Sequence, residues 1–158
     1  MRLDRKDFEI LRILQEDGRT PNKVIAAAVE LAGSTVHERI KRLEGAGIIG
    51  PGGIEPHPAA YGVGLEALFL VTLTKHDRQV VERFMSEVAQ INEVRALFLI
   101  SGRYDIVAHV VVRDVAHLRD LALDEFTSRE GVEQIETAIV FEKRRNRVLS
   151  PLVPSEGC

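Results

Sequence analysis

A chain of 158 residues, 45% apolar and 28% charged with a net charge of −3, can form one large domain or two small ones and is too ordinary for a fibrous or disordered chain. No apolar run reaches the roughly 20 residues that span a bilayer. The opening Met-Arg-Leu-Asp-Arg-Lys-Asp has no apolar stretch behind it, so a cytoplasmic location with no membrane partner is the expectation.

The first apolar periodicity is helical. Leu3, Asp7, Ile10, Leu11 and Leu14 fall on one face, and Asp17-Gly18-Arg19 stops the helix, with Gly18 suited to a left-handed C-terminal position. Thr20-Pro21 is expected to open a second helix, Thr as the cap and Pro in the first turn, running through Val24, Ile25, Ala28 and Val29. A third helix is predicted over 33–45, with Val36, Ile40 and Leu43 on one face and Ser34, His37, Glu38, Lys41 and Glu44 on the other. Gly45-Ala46-Gly47 ends it, and Ile48-Ile49 reads as the start of an extended segment.

Gly50-Pro51-Gly52-Gly53 and Pro56-His57-Pro58 break regular structure. They divide the chain into an N-terminal domain of residues 1–50, a linker of 51–63, a second domain of 64–143 and a mobile tail of 144–158. The second domain alternates strand-like runs at 65–73, 94–100, 106–112 and 132–141 with helical runs at 78–91 and 115–126. That βαββαβ rhythm predicts a four-stranded antiparallel sheet with two helices on one face, the ferredoxin-like arrangement in an α+β chain. Ile106–Val112 and Leu65–Leu73 are apolar on both faces, which a sheet with one helical layer does not need unless a second copy covers it. The expectation is a homodimer.

Residues that carry catalytic chemistry are missing from every recognisable pattern. The chain has no Gly-x-Ser-x-Gly, Gly-Lys-Ser/Thr, His-Glu-x-x-His or Cys-x-x-Cys, and its five histidines are scattered. The single cysteine, Cys158, excludes an internal disulfide or a multi-cysteine metal site. The reading is no enzyme, no cofactor and no metal.

The third helix has the pattern of a recognition helix. The second helix of a helix-turn-helix enters the major groove, packing one face and presenting polar side chains to base edges on the other. Ser34, His37, Glu38 and Lys41 suit that face, and Arg39 and Arg42 flank it within reach of phosphates. Residues 1–50 hold nine Lys/Arg against eight Asp/Glu, while 51–158 hold twelve against sixteen. Binding to double-stranded DNA would therefore rest on a local patch and not on a global positive field.

Four stretches carry a family resemblance. Leu3-Asp4-x-x-Asp7-x-x-Ile10-Leu11-x-x-Leu14-x-x-Asp17-Gly18-Arg19 resembles the opening of the Lrp/AsnC, or feast/famine, transcriptional regulators. Ser34-Thr35-Val36-x-x-Arg39-Ile40-x-Arg42-Leu43-Glu44-x-x-Gly47-Ile48-Ile49 resembles their recognition helix and the turn after it. Ser101-Gly102-Arg103-Tyr104-Asp105 resembles their Gly-Asp-Tyr-Asp loop, and Gly131-Val132 their entry to the last strand. The match runs over about residues 2–143 in family order. The chain departs from the pattern at Glu30, where the turn usually has Gly, at Ala32, where a Ser usually caps the helix, and at Arg103, where an acidic residue is common.

The resemblance implies a (winged) helix-turn-helix domain and an effector-binding, oligomerising ferredoxin-like domain. It places Ser34, Thr35, His37, Glu38, Arg39, Lys41 and Arg42 at DNA. It implies an amino acid or related small molecule bound between dimers near Gly102, Arg103, Tyr104 and Asp105, with Asp124 and Thr137 lining the pocket. Dimers would then assemble into tetramers or octamers. Two other readings stay open: an architectural DNA-binding protein without an effector, separable by the ligand dependence of DNA binding, and a dimeric ferredoxin-like enzyme, which the three-helix N-terminal domain and the missing catalytic constellation oppose.

Overall fold

The structure is a computed structural model that describes residues 2–50, 56–74 and 77–152. The described residues form two compact units, one of residues 2–50 with 144–152 and one of residues 56–143.

The first unit holds three helices, α1 (Arg5–Glu16), α2 (Asn22–Val29) and α3 (Gly33–Gly45). Asp4 caps α1 by accepting from the Asp7 amide, and the Asp7 carboxylate accepts in return from the Asp4 amide. This reciprocal pair satisfies two of the amides that a helix start leaves unpaired. Ile10, Ile25, Ala26, Val29 and Val36 form the core, with Ile13, Leu14, Leu31 and Ile40 packed around it. Glu30 ends α2 in the left-handed conformation, at φ 55° and ψ 48°.

Several local expectations are corrected. Thr20 does not cap α2: its hydroxyl donates to the Asp17 carbonyl, and Pro21 occupies the cap position without a side-chain bond. Gly18 is not left-handed, because α1 ends at Asp17 in an extended conformation. Ile48 and Ile49 do not start an extended segment; both amides turn back to the Leu43 carbonyl, helped by Gly47 at φ 69°. No strand, and so no wing, occurs among the described residues of this unit; Pro51–Glu55 lie outside them. The expected mobile tail is tied down at Leu149, whose amide donates to the Gln15 carboxamide oxygen at 2.8 Å and whose carbonyl accepts from its nitrogen at 3.4 Å. A carboxamide offers both partners that a lone backbone unit needs.

The second unit is the predicted βαββαβ fold. It contains β1 (Leu65–Leu73), α4 (Arg78–Val88), β2 (Val94–Leu99), β3 (Ile106–Val112), α5 (Val115–Leu121) and β4 (Val132–Ile139). α5 continues as a π-helical turn over Ala122–Thr127. The sheet order is β2-β3-β1-β4 and every pairing is antiparallel. Ala67, Phe69, Val71 and Leu73 of β1 and Ile106, Ala108, Val110 and Val112 of β3 are buried with Phe84, Val88, Leu118, Leu121 and Phe126. Phe126 meets Phe69 edge-on at 4.8 Å between centroids and Phe84 at 6.3 Å.

Among the described residues no helix packs on the opposite face of the sheet. Register puts Leu68 beside His109 and Leu70 beside Val107, and Phe98 of β2 pairs with Val107. Leu68, Leu70, Val107 and Val111 are half-buried and Phe98 is 53% exposed. In their midst His109 meets Glu66 at 2.7 Å, and Lys143 reaches the same carboxylate at 2.7 Å.

Candidate DNA-recognition and effector sites

α3 is amphipathic along its whole length. Val36 and Leu43 are fully buried and Ile40 packs beside them, so the helix is fixed by one face. Ser34, His37, Glu38 and Lys41 stand exposed on the other, with Thr35 half-buried between. Ala32 supplies no side-chain cap, leaving the first amides of α3 directed outward, where a phosphate is a suitable acceptor. Asn22 at the start of α2, absent from the sequence expectation, lies 3.5 Å from His37 Nδ1.

Arg39 and Arg42, expected at phosphates, are bonded within the protein. Arg39 donates to Asp4 and to Asp7 at 2.7 Å each. Arg42 spans the two Asp7 oxygens at 2.8 and 2.7 Å. Asp7 is 1% exposed and is the buried charged residue of the core; it is fully paired, as a buried carboxylate must be. Partial burial works against ionisation of Asp4, but the Arg39 hydrogen bond and charge and the backbone amides outweigh it and lower its pKa. The sequence signal for this cluster was Asp7 itself, a carboxylate placed on the apolar stripe of α1.

The loop between β2 and β3 holds Gly102, Arg103, Tyr104 and Asp105. Gly102 has φ 126° and open space where a Cβ would stand. The Asp105 carboxylate accepts from the Leu73 amide at 2.8 Å, and its own amide donates to the Val71 carbonyl, so it pins the loop to β1. Arg103 and Tyr104 both bind Glu136, at 3.1 and 2.6 Å, and the guanidinium lies 5.3 Å from the Tyr104 ring centroid. The hydrogen bond to Glu136 raises the Tyr104 pKa. Glu136, a residue the sequence reading did not single out, is thus the carboxylate that Arg103 holds.

The structure does not bring Asp124 and Thr137 to those side chains. Thr137 pairs with Phe69 on the helix side of the sheet, whereas Glu136 pairs with Leu70 on the open side. Asp124 lines a groove of about 500 Å³ with Glu87, Glu93, His117 and Arg129.

A helix-turn-helix unit in one chain with an α/β unit that has an open sheet face is the make-up of a DNA-binding regulator with its own ligand-binding module. The family comparisons agree over both units. The AsnC-type helix-turn-helix domain matches residues 3–44 and the Lrp/AsnC ligand binding domain matches residues 66–148. The chain belongs to the Lrp/AsnC family of transcriptional regulators.

Among its relatives is the HTH-type transcriptional regulator AldR of Mycolicibacterium smegmatis, 33% identical over 150 residues, which are 95% of this chain and 86% of that protein. Another is the leucine-responsive regulatory protein of Rhizobium meliloti, 29% identical over 90% of its length and 89% of this chain. Among solved structures, a transcriptional regulator of Neisseria meningitidis in complex with L-Met superposes with a TM-score of 0.87 at 28% identity, covering 96% of this chain and 97% of that one. Among the described residues no helix is long and apolar enough to cross a membrane.

Proposed function

We propose that this regulator reads duplex DNA with the exposed face of α3, works as a homodimer closed across its open sheet face, and answers to an amino acid or a related small molecule. The observation that carries the reading is the division of α3 into a buried Val36–Leu43 face and a free Ser34–His37–Glu38–Lys41 face. That is the geometry a major-groove helix requires. The half-buried Leu68, Leu70, Val107 and Val111 with exposed Phe98 support the dimer, since they leave a sheet face that water alone covers poorly.

An amino-acid effector is supported by the L-Met complex of the Neisseria relative and by the open space at Gly102. A site between dimers, at the sheet end where the 101–105 loop sits, would let the ligand shift oligomer size together with DNA affinity. Tetramers or octamers are the assemblies in which such a site exists. Arg103 would then exchange Glu136 for the effector carboxylate, and Asp105, already held by Leu73, serves the loop's shape.

The test is footprinting of the full chain on DNA upstream of its own gene, with and without a panel of amino acids, beside light scattering. His37→Ala and Glu38→Ala should change sequence preference by about 1–3 kcal/mol for each base-edge hydrogen bond removed. Unaltered affinity and preference in both would remove α3 from the DNA. A stable monomer at micromolar concentration would remove the dimer. Binding to DNA without response to any amino acid would favour the architectural reading.

A further inference from the structure

We infer that Asp4 and Asp7 mask the recognition helix: they neutralise Arg39 and Arg42 inside the protein, withhold both arginines from DNA phosphates, and so make this regulator's binding depend on base recognition more than on backbone charge. The inference rests on the reading that α3 meets DNA.

The geometry supports it from both partners. The Arg39 Nη1 atom is shared between the Asp4 and Asp7 carboxylates, and Arg42 closes on both oxygens of Asp7. The Arg39 side chain is 22% exposed and the Asp7 side chain 1%. Four charges within hydrogen-bond distance sum to zero, which is what a phosphate approaching Arg39 would sense. Of the other charged residues on α3, Glu38 and Glu44 are exposed and negative, and Lys41 is exposed and makes no ion pair among the described residues. Unmasked, the three cations of α3 outnumber its two acids; masked, Lys41 stands alone against both. Non-specific attachment to DNA is supplied by phosphate neutralisation, so an α3 masked in this way binds random duplex weakly. Specificity, a ratio of affinities, rises when that background falls.

Asp4 is the side chain through which the mask can be lifted without dismantling the fold. It is 54% exposed, and its structural duty is to cap α1. Asn caps a helix as well as Asp does. Asp4→Asn therefore keeps the cap and removes one negative charge, leaving the cluster with one net positive charge beside the exposed face of α3.

The experiment uses the full chain, a random-sequence duplex and a salt titration. Each phosphate neutralised contributes about −0.9 to the slope of log K against log salt. Asp4→Asn should steepen the slope by about 0.9 and tighten random-duplex binding about five- to tenfold near 0.1 M salt. Adding Arg39→Ala to Asp4→Asn returns the cluster to zero net charge, so the double variant should return to the wild-type slope. Lys41→Ala should flatten it by about 0.9. Asp4→Ser, which also caps, repeats the first arm should the Asn variant fold poorly. If Lys41→Ala flattens the slope while Asp4→Asn and Asp4→Ser leave it unmoved, or while the Asp4→Asn, Arg39→Ala double variant keeps the steeper slope of Asp4→Asn, the masking is overturned and α3 stays at the DNA. If Lys41→Ala moves nothing, α3 is not at the phosphates, and the masking falls with that reading.

Discussion

Glu30 closes α2 with a conformation that side chains with a Cβ resist. It has φ 55° and ψ 48°, and it is the one left-handed residue other than glycine among those described. The turn is otherwise well made: the amides of Glu30 and Leu31 both return to the Ala26 carbonyl, the Leu31 bond being the wider one that a left-handed residue at a helix end allows. An L-residue held there costs about 1–2 kcal/mol. Glycine removes that cost but gives the unfolded chain more freedom, worth about 0.4–1 kcal/mol. Removing the carboxylate also relieves a negative charge at a helix C-terminus, worth about 0.3–1 kcal/mol. Glu30→Gly should therefore stabilise the three-helix unit by about 1 kcal/mol net. Glu30→Ala keeps the Cβ and loses the charge, so it should gain only a few tenths of a kcal/mol. Native-state hydrogen exchange of the full chain, read at the α2 and α3 amides, isolates this unit from the other. Glu30→Gly no more stable than Glu30→Ala would refute the strain argument.

Truncating Phe126 to Ala should destabilise the ligand-binding unit by about 3–5 kcal/mol in denaturant titrations, since it is fully buried and edge-packed on both Phe69 and Phe84. On the proposed reading, Gly102→Val should abolish an amino-acid response and leave self-association as in the wild type, because φ 126° is closed to valine and the loop must move; an unaltered calorimetric titration would place the ligand elsewhere. Glu66 predicts a pH dependence. Burial raises its pKa, but hydrogen bonds from Lys143 and His109 outweigh that and lower it below the ordinary 4.5. A carboxyl lowered on folding contributes stability that is full above its unfolded value and is lost as pH falls through the folded value. Melting temperature should hold from neutral pH to about 5 and drop below about 4.5, and Glu66→Gln should shrink that acid drop; an equal drop in the variant would remove Glu66 from the acid response.

What was legible in the sequence was what local periodicity writes. Val36, Ile40 and Leu43 marked α3, and its bounds came out at 33–45 as expected. The doubly apolar β1 and β3 matched residue for residue because strand alternation and flanking Gly and Asp bracket them closely. The helix over 78–91 was read too long, since α4 stops at Val88 and Ile91 adds to the core from the turn after it. The C-terminal part of the helix over 115–126 loosens into a π-turn, which apolar spacing does not register. Side-chain partnerships across long stretches of chain were the illegible part. Arg39 was expected at phosphates and its partners lie 32 and 35 residues away, and the partner of Arg103, Glu136, is 33 residues on. In both cases a cation at a candidate site is held by a carboxylate from another element, which no spacing rule within one helix or loop reveals.

The open sheet face joins these themes. An apolar face alone would let two copies slide, because burial is non-directional. Glu66, His109 and Lys143 place a polar cluster, bonded within itself, on that face toward the end where β1 begins. Two copies brought together must seat both clusters where each stays satisfied, and a slipped register would bury one against Leu68 or Val107 without a new partner. The cost of an unpaired buried charge exceeds what a displaced leucine gains. In the proposed dimer the cluster would act as a register mark, together with the Glu136, Arg103 and Tyr104 cluster on the same face. Its replacement by apolar residues should tighten self-association while broadening the range of assemblies seen by native mass measurement; a single sharp dimer in such a variant would show that the apolar side chains set the register by shape alone.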